Sequence, residues 1–99
     1  MTIVVGALHV SATARDDYLA GCRVVVEQAR GTAGCIDFAL SADLVDERRI
    51  NVLERWARNE DLQRFRGSGP SDEQNDALES ADVQEFELAE PQPAGTREG

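Results

Sequence analysis

Apolar and polar residues alternate along this chain in two distinct periods, and the switches between them mark out its elements. Ile3 to Val10 (Ile-Val-Val-Gly-Ala-Leu-His-Val) is rich in β-branched residues and too short for a helix, which predicts a strand. Ser11 and Thr13 then offer helix caps, and Thr13-Ala-Arg-Asp16 has the spacing of a capping box. Tyr18, Leu19, Cys22, Val25, Val26 and Ala29 follow at helical spacing, and Gly31 stops that helix. Gly34 precedes a second strand, Cys35 to Ser41, where Ile36, Phe38 and Leu40 alternate with Asp37 and Ala39. A polar bend through Asp43 to Arg48 leads to a third strand, Arg49 to Trp56, which the spacing pairs with the second as a hairpin. A short helix from Arg58 or Asn59 carries Leu62 and Phe65, and Gly67-Ser-Gly-Pro70 breaks the chain. Ser71 offers a cap for a further helical turn toward Ala77 and Leu78, and Val83 to Leu88 reads as the last strand.

The order is β-α-β-β-α-β, the split βαβ arrangement of a ferredoxin-like α+β fold with an antiparallel sheet. Parallel pairing of the first two strands across a right-handed crossover is expected, with both helices on one sheet face. The first strand conflicts with a monomer of that design. Its faces, Ile3-Val5-Ala7-His9 and Val4-Gly6-Leu8-Val10, are both mostly apolar, whereas a sheet covered on one side alternates apolar and polar. The chain has no spare element for the second face, so the pattern predicts a homodimer stacked sheet on sheet. Burying three aliphatic side chains there contributes on the order of 1.5–3 kcal/mol each.

Composition narrows the function classes. The 99 residues suffice for one domain, expected over residues 1–89, with the Pro/Gly-rich stretch 90–99 as a disordered tail. Nineteen acids oppose ten arginines and no lysine, a net charge of −9 concentrated beyond residue 59. That balance disfavours nucleic acid and anionic membrane as partners. No run approaches the roughly 18 apolar residues of a span. No cation precedes Arg15, which reads against a secretory signal. Two cysteines, Cys22 and Cys35, build neither a disulfide framework nor a metal cluster, so a cytoplasmic protein is expected.

With the order in place, Gly34-Cys35 opening the second strand, Asn51-Val-Leu-Glu54-Arg-Trp56 in the third and Leu62 in the following helix resemble the antibiotic biosynthesis monooxygenase family. The resemblance spans residues 3–88, and its most specific part is Glu-x-Trp on a strand followed by a short helix. It implies a dimeric α/β barrel with a pocket in each subunit between sheet and helices. Some members oxygenate polycyclic phenols or quinols with neither metal nor flavin, because an electron-rich phenolate can reduce dioxygen itself. The protein then has to exclude water, hold a flat aromatic and stabilise negative charge. Trp56 suits the holding role, Glu54 that of base, and Arg64 or Arg66 that of anion stabiliser. Leu8, Val52, Leu62 and Phe65 would line the walls, with Gly6 leaving open space above the sheet.

Related members bind and degrade haem through a histidine nine or ten positions after the tryptophan. Phe65 and Arg66 stand there, and the sole histidine, His9, has the opposite strand parity to Gly6. Polyketide-oxygenating members carry asparagine four before and tyrosine six after the tryptophan, where this chain has Val52 and Leu62. Three readings therefore stand: a cofactor-independent monooxygenase for a phenolic or quinol-type polycyclic aromatic, a non-catalytic ligand-binding or structural dimer, and, last, a haem-binding relative. The residues carry bland readings as well. Trp56 fits a core position, Glu54 an ion pair with Arg58, Arg64 and Arg66 a solvated surface, and Arg55 a cross-strand partner of Asp37.

Overall fold

The computed structural model of the protein describes residues 1–67, 78–89 and 94. In chain order its elements are β1 (Thr2–His9), α1 (Arg15–Arg30), β2 (Cys35–Ala42), β3 (Arg49–Trp56), α2 (Asn59–Gly67) and β4 (Ser80–Glu87). They form one four-stranded sheet of order β2-β3-β1-β4 with every neighbour antiparallel. This is the ferredoxin-like βαββαβ arrangement. The expected pairing of β1 with β2 is corrected: β3 lies between them. A hairpin return after β2 drops β3 into the gap that the α1 crossover leaves open.

Register sorts the side chains. Across the helix-covered face run the rows Trp56–Thr2–Glu87, Glu54–Val4–Glu85, Val52–Gly6–Val83 and Ile50–Leu8–Ala81. The core is built on them. Val4, Ala29, Phe38, Val52, Trp56, Leu62 and Phe65 form one buried cluster, and Val10, Tyr18, Cys22 and Ile50 a second. Leu8 and Leu40 pack against both. Each large apolar side chain so buried contributes on the order of 1.5–3 kcal/mol. On the uncovered face stand Ile3, Val5, Ala7 and His9 of β1, Leu53 and Arg55 of β3, and Phe86 of β4, with Val5, Leu53 and Phe86 substantially exposed. Arg55 stands directly opposite Asp37, as the pattern predicts.

Local chemistry differs from expectation at both ends of the pattern. The helix α1 begins at Arg15 with Ala14 at its cap, and no side chain caps it. Thr13 instead lies 3.4 Å from Ser11, hydroxyl to hydroxyl. Arg15 spans the gap to the β2–β3 turn, donating to the carbonyl oxygens of Asp46 (2.9 Å), Asp43 (3.3 Å) and Arg49 (3.4 Å). The last strand starts at Ser80, three residues before the apolar pattern, because Ser80-Ala-Asp82 pairs with Ala7 to His9 regardless of its polarity. The further helical turn expected from Ser71 to Ala77 and the expected tail 90–99 lie outside the described residues, Ala94 excepted.

Two glycines are required by close approach. At Gly34, φ is +90° and the Asp61 carboxyl occupies the space of a side chain, its Cγ 2.2 Å from where a Cβ would stand. At Gly6, φ is +156° and a Cβ would lie 2.1 Å from the Asp82 carbonyl oxygen and 2.7 Å from the Val83 Cα. The missing side chain thus admits the β4 backbone beside β1. Gly6→Ala should force β4 off the sheet edge. We expect a loss of about 3 kcal/mol in urea unfolding, an overpacking cost at the upper end of its usual range. Hydrogen exchange should accelerate across residues 80–87 first; unchanged protection there would show that β1 and β4 tolerate the extra atom.

Candidate active site

Trp56 is the last residue of β3 and has no exposed surface. The α2 helix delivers Leu62 and Phe65 onto it. The Phe65 ring centroid is 5.5 Å from the indole at a 34° tilt, and Phe38 meets Phe65 edge-on at 5.8 Å. Such pairs add about 0.5–1.5 kcal/mol beyond simple burial. Period 2 places Glu54 on the same face as Trp56. The indole Nε1–H donates to Glu54 Oε1 at 3.0 Å. Burial raises the Glu54 pKa above the ordinary glutamate value, and Glu85 adds to the rise; the indole hydrogen bond and Arg66 oppose it.

Glu85 reaches this place because it shares the Val4 row with Glu54. Arg66, in the last turn of α2, forms an ion pair with Glu85 and acts electrostatically on Glu54. The structure therefore brings together Trp56, Glu54 and Arg66, and adds Glu85, which the sequence pattern did not single out. Its signal was parity: the antiparallel register puts β4 positions 81, 83, 85 and 87 on the helix face.

The other predicted residues divide. Val52, Leu62 and Phe65 belong to the Trp56 cluster, while Leu8 packs further along β1 between the two clusters. Arg64 is turned to a different task, donating to Asp61 Oδ1 at 3.1 Å. Asp61, 3% exposed, also accepts from Arg58 at 3.5 Å and sits over Gly34. Arg58 pairs with Glu60 and Asp61, which leaves Glu54 to the indole. His9 stands on the opposite sheet face and at the opposite end of β1 from the Trp56 row. Cys22 and Cys35 are both thiols, and burial raises the pKa of each. Among the described residues no group of three or more His, Cys, Asp and Glu could hold a metal ion, and no helix is long and apolar enough to cross a membrane.

The family profile of the antibiotic biosynthesis monooxygenases matches residues 1–87. The chain belongs to this family. Solved structures share its fold. A candidate antibiotic biosynthesis monooxygenase from Deinococcus radiodurans superposes with a TM-score of 0.84 at 18% identity, covering 97% of this chain and 100% of its own. A candidate member from Nitrosomonas europaea gives 0.78 at 14% identity, covering 89% of this chain and 98% of its own. A conserved protein of unknown function from Bacteroides thetaiotaomicron, described as a possible oxidoreductase, gives 0.76 at 14% identity over 88% and 97%. No curated protein matches.

The raised pKa of Glu54 has a stability consequence of definite sign. The folded chain holds this proton more tightly than the unfolded one, so folding is penalised once pH passes the ordinary glutamate value, and the penalty levels off above the raised value. Glu54→Gln keeps an oxygen for the indole and removes the penalty. Its stability relative to wild type should climb between pH 4 and pH 7 in urea titrations. A pH-independent difference would mean that the carboxyl is not desolvated.

Proposed function

We propose that this protein is a cofactor-independent monooxygenase of phenolic or quinol-type polycyclic aromatics, and that it works as a homodimer. The observation that carries this reading is the Glu54 carboxylate, desolvated beneath α2 and tethered to the indole of Trp56, with a guanidinium beside it. A base with a raised pKa is matched to removing a phenolic proton near neutral pH. The phenolate formed is electron-rich enough to reduce dioxygen; one oxygen atom enters the ring system and the other leaves as water. Arg66 holds the developing anion, while Leu8, Val52, Leu62 and Phe65 exclude water and press the aromatic flat. Arg64 serves at one remove, through Asp61, by fixing the first turn of α2. Because Trp56 has no exposed surface, substrate has to displace the Phe65 ring that covers it.

Oxygen uptake with anthrones and quinols tests the proposal. Wild type should consume one O2 per substrate, and Glu54→Gln should lose about 100-fold, the scale of a general base. Trp56→Phe should raise KM as well as lower kcat. Absence of turnover, or equal turnover in Glu54→Gln, would overturn it. The complete burial of Trp56 favours a second reading, a non-catalytic dimer of the same fold, in which aromatic ligands quench the indole without consuming oxygen.

The dimer reading rests on the sheet face opposite the helices, where Ile3, Val5, Leu53 and Phe86 form an apolar stripe across three strands with no element above it among the described residues. Leu53→Asp should halve the mass of the assembly by sedimentation, and an unchanged assembly would remove this face from the interface.

A further inference from the structure

The β2–β3 turn holds two apolar side chains in water. Leu44 is 98% exposed and Val45 92%, far above any other large apolar residue of the chain. Loop residues so exposed are usually loosely held, but here the backbone is bound from several sides. Asp43 Oδ2 accepts from the amides of Asp46 (2.8 Å) and Val45 (3.0 Å), and its Oδ1 from Asn51 Nδ2 (3.0 Å). These bonds lower the Asp43 pKa to about 2, so the turn keeps its charge and its shape through the physiological range. The Asp43 amide donates to Arg49, the Arg49 amide to Asp46, and Arg15 clamps three carbonyls from below. The result is a rigid knob, apolar at its tip and acidic at its base through Asp46 and Glu47.

Beside the same turn lies a hollow of complementary character. Between α1 and the outer edge of β2, a groove of about 500 Å³ is floored by Leu19, Cys22, Val26 and Leu40, with Arg23, Arg30 and a single acid, Glu27, on its rim. Arg30 spends only its Nε, on the Phe38 carbonyl at 2.8 Å, and Arg23 is 3.7 Å from Glu27. The rim is thus net positive on a chain of net charge −9. The edge of β2 is open there. The Phe38 carbonyl points outward to Arg30, while the Asp43 amide points inward to Arg49. Strand alternation therefore turns the N–H and C=O of Leu40 outward beside the groove. The bulge between Cys35 and Asp37 and the Arg30 side chain block the other half of the edge.

We propose that the groove between α1 and β2 receives the Leu44–Val45 knob of a second copy of this chain. Apolar tip meets apolar floor, and Asp46 and Glu47 of one copy face Arg23 and Arg30 of the other. Since Ser41 and Ala42 line the groove and run directly into the knob, a twofold axis beside the turn lets both copies insert at once. The knob is already ordered, so docking forfeits little conformational freedom. This contact uses a different surface from the uncovered sheet face and is independent of the proposed activity. The two together would build a dimer of dimers.

Sedimentation equilibrium of the full chain at about 0.15 M salt, where long-range repulsion between like-charged copies is screened, tests it. Leu44→Asp with Val45→Asp alters exposed side chains alone and should halve the weight-average mass seen for wild type. Arg23→Glu and Glu47→Arg should each weaken association about tenfold, and their combination in one chain should restore it. In the Leu53→Asp background, which removes the sheet-face contact, a dimer should persist and should vanish with the knob substitutions. Unchanged mass in the knob double variant, a monomeric wild type, or failure of the charge swap to rescue would each overturn the proposal.

Discussion

The indole of Trp56 is the surface on which the helical half of the site is assembled. The nine residues of α2 are too few to be stable as an isolated helix, so their position depends on Leu62 and Phe65 packing against that ring. Once α2 is seated, its last turn can stand only where Arg66 meets Glu85 and acts on Glu54. The indole N–H fixes the Glu54 carboxylate. One apolar ring thus sets both the dielectric around the carboxylate and the place of the cation that balances it.

Arginine does most of the long-range fastening in this acidic chain. Arg15 ties α1 to the β2–β3 turn, Arg30 ties it to the edge of β2, and Arg66 ties α2 to β4. A guanidinium offers five donors in a rigid fork and is weakly hydrated, so it can serve carbonyls and carboxylates at partly buried positions. At Arg15 a single nitrogen, Nη1, meets all three carbonyls of the turn. The arginine–carboxylate contacts at Asp61 close the other end of α2, where Gly34 leaves room for the carboxyl.

Period and punctuation made most of the architecture legible. Strand β1, helix α1 and the β2–β3 hairpin announce themselves through β-branched runs, a 3.6-residue stripe and a polar bend, and Trp56 and Glu54 fall on one face by parity alone. The start of β4 did not show, because an edge strand needs only backbone partners and Ser80-Ala-Asp82 carries no apolar signal. The helix cap misled for a related reason. Thr13 has the right spacing, but Arg15 is drawn to the turn and the helix begins there.

Sequence by itself determined which residues are apolar, at what period, and so which elements exist and which face each must bury. That information is local, because side-chain direction along one strand or helix depends on position within it. Tertiary structure alone decided which strands adjoin. It set β3 between β1 and β2, brought Glu85 into the row of Glu54, made Gly6 a passage for the β4 backbone, and gave Arg64 to Asp61 while Arg66 went to the site. Those outcomes depend on register between segments far apart in the chain, and a register is chosen by the packing of the whole sheet rather than by any one of its strands.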